Sequence, residues 1–234
     1  MTDPLRKLLV RGASGSLFVL SVLGTLLFVT TAYYVVMTTY AVLVFVEFLK
    51  LRAGFGIHSQ ADRKGGGLII TLFGGTVWVL LPFALVILAP TLLDQSVKGF
   101  RGAEITAAMF VLIWVHDSFA YLTGISVGKH LLAPRISPAK TWEGALGGLL
   151  FTLAAAWLIW ISYGKASSLT FWLVGGLIVT IASNAGDLLQ SKLKRAAGVK
   201  DSGNMMPGHG GFFDRFDAVL VTAPAWVLWV WLAQ

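Results

Sequence analysis

Apolar residues along this chain come in long blocks separated by short polar stretches, without the two-residue alternation of a porin-type strand. A bilayer core of about 30 Å takes about 20 apolar residues per helix. On that scale the pattern predicts transmembrane helices over Ser16–Val29, Tyr33–Leu49, Gly67–Ala89, Ala103–Leu122, Ala145–Ser162, Leu169–Ala185 and Ala218–Leu232. The fold class is therefore all-α, a polytopic helical membrane protein of about seven spans. The first two blocks are short, yet together they are too long for one helix. Pro82, following the Gly74-Gly75 pair, predicts a kink or a split in the third span.

Composition agrees: 56% of the 234 residues are hydrophobic, 12% are charged, and mean hydropathy is +0.78. Absence of cysteine excludes disulfides and thiolate metal sites. Met1 to Arg11 is short and basic, but no small-residue cleavage site follows, so the first apolar block reads as a retained helix and not a signal peptide. Lys and Arg gather in the loops of one side: with the N-terminus cytoplasmic, all 18 cations except Lys98, Arg101 and Lys165 fall inside. The net charge of +7 then matches anionic inner-leaflet lipid and does not imply nucleic acid. No repeat or linker divides the chain, so residues 1–234 read as a single membrane domain in an inner membrane. Trp226, Trp229 and Trp231 read as part of an interfacial aromatic belt.

Polar chemistry is concentrated in two segments that share the cytoplasmic side, where nucleoside triphosphates are available. Residues 191–217 hold Lys192, Lys194, Arg195, Lys200 and Arg215 beside Asp201, Asp214, Asp217 and His209, with glycines that let backbone approach a ligand. Carboxylates suit Mg²⁺, which prefers a few protein oxygens together with substrate phosphates, and the cations suit the remaining phosphate charge. Residues 128–144 add Lys129, His130, Arg135, Ser137, Lys140, Thr141 and Glu143 next to a helix start, where free N–H groups favour phosphate; N-capping by Ser137 or Thr141 is an equal reading. Acids at the membrane edge usually face a partner or a watery cavity. Glu47, one turn from Lys50, reads as an interfacial ion pair. Asp117 beside His116 reads equally as a site member or as an interhelical partner. Asp187, with Ser191 one turn on, could share a cation with Asp214 and Asp217, because three such carboxylates repel without one. His209 suits an orienting or electrostatic role, Gly65-Gly66-Gly67 a hinge, and Gly124 with Gly128 a weak helix-contact signal.

Ser191, Lys194-Arg195, Lys200-Asp201, Pro207, His209-Gly210-Gly211 and Asp214-Arg215 with Asp217 follow one another as in the phosphatidate cytidylyltransferases, also called CDP-diacylglycerol synthases, which this chain resembles. Met206 is a conservative departure. Gly186-Asp187, Asp117, Ala120-Tyr121, Gly128-Lys129, Ser137-Pro138, Lys140-Thr141 and Glu143-Gly144 extend the resemblance, which is dense from about residue 114 to 217. It implies transfer of CMP from CTP to phosphatidate, giving CDP-diacylglycerol and pyrophosphate for phospholipid synthesis. It further implies Mg²⁺ held by Asp187, Asp214, Asp217 and Ser191, and leaves open a second, monovalent cation. Catalytic roles fall to those acids with Lys200, Asp201 and His209. Substrate contacts fall to Ser137, Lys140, Thr141, Lys194, Arg195, Arg215 and Asp117, and a homodimer is expected.

Alternatives from the sequence are a cytidylyltransferase for another lipid phosphate, a CTP-dependent lipid kinase and, outside enzymes, an ion-coupled transporter. Lack of an inverted repeat, and polar groups in loops instead of at midplane, weigh against the transporter.

Overall fold

The computed structural model describes residues 4–55, 73–163, 167–206 and 210–233. The helices are α1 (Pro4–Val19), α2 (Thr25–Phe28), α3 (Thr30–Phe55), α4 (Leu81–Leu92), α5 (Gly102–Val127), α6 (Trp142–Ser162), α7 (Leu169–Ala196) and α8 (Phe213–Leu232). Six helical stretches are long and apolar enough to cross a bilayer, namely Thr30–Arg52, Phe73–Leu92, Gly102–Val127, Trp142–Ser162, Leu169–Ala196 and Phe213–Leu232. The first of the seven predicted spans is instead part of a shorter apolar helix, Gly12–Phe28, broken by a π-helical turn at Leu20–Gly24. The break predicted near Pro82 also takes this form: within the helical stretch Phe73–Leu92 a π-helical turn at Thr76–Leu80 comes just before the proline, which lacks an N–H to donate.

The all-α expectation needs one addition. Residues 128–144 build a two-stranded antiparallel hairpin, β1 (Leu131–Ala133) with β2 (Ser137–Thr141), in the register Leu131 to Thr141 and Ala133 to Ser137. The Gly65-Gly66-Gly67 hinge lies outside the described residues.

The single domain expected from the sequence resolves into two compact units interleaved along the chain, residues 1–87 with 193–216 and residues 88–192 with 217–234. In the first, aromatic rings form the core: Phe216 meets Phe18 edge-on at 5.5 Å and Phe83 at 4.9 Å, and Tyr40 meets Phe212 at 5.2 Å. Such pairs contribute about 0.5–1.5 kcal/mol each beyond the area they bury. Tyr33 donates its hydroxyl to the Val86 carbonyl at 2.8 Å, so its polar end is satisfied inside an apolar packing.

In the second unit small residues bring backbones together. A Cβ on Gly147 would stand 2.2 Å from the Thr123 hydroxyl, and one on Gly144 would stand 2.7 Å from the Ala120 carbonyl, so α6 lies on α5 only because those positions are glycine. Close approach of this kind supplies helix association where lipid removes the usual hydrophobic drive. Trp226 is fully buried against Trp172 and corrects the expectation that it belongs to an interfacial belt, whereas Trp231 is 65% exposed. Trp229 donates to the Phe171 carbonyl at 3.3 Å and stacks on that ring.

Candidate functional site

Two polar centres carry the chemistry, one within each unit. In the second unit α5, α7 and the hairpin enclose a cavity of about 320 Å³ lined by His116, Asp117, Ser137, Lys140, Thr141, Asn184 and Asp187, with Tyr121, Ile125 and Leu132 supplying apolar wall. Lys140 projects from β2 and pairs with the Asp187 carboxylate on α7. Both partners are partly open to solvent, at 25% and 22% side-chain exposure. An ion pair so placed is held weakly enough for a polyanion or cation to divide it.

Local structure explains how Lys140 arrives there. Glu143 accepts from the Lys129 and His130 backbone N–H groups, both at 3.1 Å, and stands 2.5 Å from His130 Nδ1, clasping the base of the hairpin. Thr141 caps α6 by accepting from the Gly144 N–H at 3.1 Å, and it also lines the cavity. A Cβ on Gly128 would stand 2.7 Å from that same hydroxyl, so the turn into the hairpin closes against it. The weak glycine signal is thus part of the site's framework.

His116 and Asn184 form the floor. The Asn184 amide donates to the Thr180 carbonyl at 2.9 Å and lies 3.0 Å from His116 Nε2, which therefore accepts and leaves the hydrogen on Nδ1, beside Gly148. His116 is 2% exposed and was not among the candidate residues. Its only signal in the sequence was an imidazole next to Asp117 inside a span.

The first unit holds a closed centre. Asp214, in the first turn of α8, receives the Lys194 ammonium on Oδ1 at 2.6 Å. Its Oδ2 accepts from the Ser202 N–H and hydroxyl, both at 2.9 Å, and from the Gly211 N–H at 3.1 Å. The side chain is only 6% exposed. Gly210 next to it has φ +82°, a left-handed conformation that favours glycine, and a Cβ there would stand 3.0 Å from Asp214 Oδ2. Glu47 joins this centre, and the expected pair with Lys50 is corrected: its carboxylate is 1% exposed, accepts from the Phe213 N–H at 2.8 Å and, at 3.0 Å, shares the one Ser202 hydroxyl hydrogen with Asp214.

Other candidates are placed less tightly. Arg195 donates to the Val199 carbonyl at 3.3 Å, and Lys200 and Asp201 are exposed. Arg215 and Ser191 are half-buried, while Pro207 and His209 lie outside the described residues. Asp217 accepts from the Ala218 N–H at 2.8 Å, and its carbonyl abuts Gly186, where a Cβ would approach to 2.4 Å. Glycine next to Asp187 is therefore what brings α8 against α7 there.

Among the described residues no group of three or more His, Asp or Glu side chains stands at metal-ligand spacing. Of the acids expected to share an ion, Asp187 and Asp217 belong with Ser191 to the second unit, while Asp214 belongs to the first and has its oxygens filled by four donors. The cavity's own donors still suit a hard divalent ion: carboxylates at Asp187 and Asp117, hydroxyls at Ser137 and Thr141, and the Asn184 carbonyl are all oxygen ligands.

Oxygen donors beside a lysine, set among helices long and apolar enough to cross a membrane, form a donor set suited to phosphate and to a hard cation. The chain belongs to the cytidylyltransferase family, whose model matches residues 8–233. It is 36% identical over 150 residues to a phosphatidate cytidylyltransferase of Haemophilus influenzae, covering 62% of this chain and 52% of that one. A phosphatidate cytidylyltransferase of Pseudomonas aeruginosa is 42% identical over 127 residues, 54% of this chain and 47% of the relative. An uncharacterised protein of Escherichia coli, YnbB, is 35% identical over 153 residues, 65% of this chain and 51% of its own length. The chain spans about half the length of the curated relatives it matches.

Proposed function

We propose that this protein transfers CMP from CTP to phosphatidate, releasing pyrophosphate and forming CDP-diacylglycerol. The observation that carries the reading is the cavity in which Lys140 and Asp187, far apart in sequence, meet among hydroxyl and amide oxygens. In the reaction a phosphatidate phosphate oxygen forms a bond to the α-phosphorus of CTP. The bond from that phosphorus to the bridging oxygen breaks, and pyrophosphate departs with the electron pair. The phosphate nucleophile is already ionised near neutral pH, so no protein base is required.

Lys140 would leave Asp187 for a triphosphate oxygen and fix its orientation, a positioning gain that can amount to several kcal/mol of barrier. Ser137 would add a hydroxyl donor, and Asn184, held by Thr180 and His116, would present a fixed dipole. Tyr121 and Ile125 offer apolar surface to a lipid tail at the cavity mouth. Asp187, with Asp217 on the abutting helix, would hold Mg²⁺, which when bound offsets charge on the transferring phosphoryl and the leaving group. We place the cavity at the cytoplasmic face of an inner membrane because Lys and Arg crowd the loops on that side. Assembly as a homodimer belongs to the same proposal.

Purified protein in detergent with Mg²⁺, CTP and phosphatidate should release pyrophosphate and form a CMP-bearing lipid. Release of CDP with phosphorylation of a lipid alcohol would replace this reading with a CTP-dependent kinase. Turnover of an ether-linked lipid phosphate in preference to phosphatidate would change the acceptor alone.

A further inference from the structure

We propose that Glu47 is a positioning residue for the transfer reaction: from α3 it pins the polar segments 202–206 and 210–213 and the start of α8, and so fixes Asp214 and Lys194 in their working arrangement. The proposal rests on the reading above, that this loop belongs to the nucleotidyl-transfer machinery. Glu47 lies 155 residues from Ser202 and 166 from Phe213, so its hold on this loop joins segments far apart in the chain. At 1% exposure it is removed from water, a state costly to a carboxyl unless donors compensate.

Two donors do so, both at Oε2. The Phe213 N–H, at 2.8 Å, belongs to the first residue of α8 and has no acceptor within the helix. The Ser202 hydroxyl stands 3.0 Å from Glu47 and 2.9 Å from Asp214 Oδ2, so one side chain links the buried acid to the closed centre. Backbone walls the carboxylate in: a Cβ on Gly203 would stand 2.5 Å from Oε1, and one on Gly211 would stand 2.3 Å from Oε2. The loop is thus moulded on Glu47. Among the described residues the Oε1 atom finds no hydrogen-bond partner, so two donors at Oε2 are what compensate the buried acid there.

Because both contacts use one oxygen, glutamine can keep them and alanine cannot. The full-length protein in detergent serves for hydrogen exchange by mass spectrometry and for pyrophosphate-release kinetics. E47Q should keep wild-type exchange over residues 202–206 and 210–213 and rescue turnover. In E47A those segments should exchange at least about tenfold faster, and kcat should fall about 100-fold, the scale of loss expected from a misplacement of about 1 Å. If E47A fails to fold, S202A, which leaves the carboxylate and its Phe213 contact in place, should show the same two changes to a smaller degree. Native exchange and native kcat in E47A would overturn the proposal, as would E47Q and E47A being equally slow with native exchange. Should the wild type release no pyrophosphate, the functional reading fails, while the exchange comparison still decides whether Glu47 holds the loop.

Discussion

The cavity at Asp187 and the knot at Asp214 use the same chemistry to opposite ends. Each sets a lysine ammonium against an aspartate, yet Asp187 is 22% exposed beside empty space, whereas Asp214 is 6% exposed and accepts four hydrogen bonds. A partly solvated pair contributes little to stability, about 0–1 kcal/mol, and is readily exchanged for a ligand. A buried pair whose partner is removed leaves an uncompensated charge and costs several kcal/mol. Identical residue types therefore stand in opposite surroundings: one acid is open beside a cavity and the other is sealed among the donors of a loop.

The sharpest test of that contrast is Asp187→Ala, for which pyrophosphate release should fall about 1000-fold, roughly 4 kcal/mol of barrier. Its thermal unfolding midpoint in detergent should stay close to wild type, since only a half-open ion pair is lost. Asp214→Ala should reverse the balance by destabilising the fold by about 3 kcal/mol, read from denaturation in detergent, because Lys194 and two backbone N–H groups lose their acceptor. Equal loss of stability in the two variants would erase the distinction between the centres.

Lys140→Ala should raise the Michaelis constant for CTP about tenfold, or about 1.4 kcal/mol, if the ammonium moves to a phosphate. Unchanged kinetics would reduce Lys140 to a partner for Asp187. The smallest effect belongs to the framework: Thr141→Val removes the cap on α6 and should cost about 1 kcal/mol of stability, with turnover lowered only as far as the hairpin loosens.

Much of this was legible in the sequence, though unevenly. Six of the predicted spans coincide with membrane-length helices, and only the first is shorter. Lys140, Asp187, Ser137 and Thr141 were all candidates, and they line one cavity. By contrast, Glu47 was assigned to Lys50 because that cation is one turn away, while its partners are more than 150 residues distant. His116 was passed over for Asp117, and Trp226 was assigned to the interface although it is fully buried. Periodicity could not have corrected these. Lipid-facing and core-facing positions are both apolar in a membrane protein, so hydropathy marks where a helix is and says little about which side meets a neighbour.

Taken alone, the order of residues determined the helical membrane class, the oxygen-rich inventory and the family resemblance, because each depends on composition or spacing within a short window. Only the folded chain decided which carboxylate is open and which is sealed, where the hairpin delivers Lys140, and that Glu47 turns to the start of α8. Those outcomes depend on how closely backbones approach at glycines such as Gly147 and Gly186, and on which donors then reach a buried oxygen. Distances between segments far apart in sequence set both.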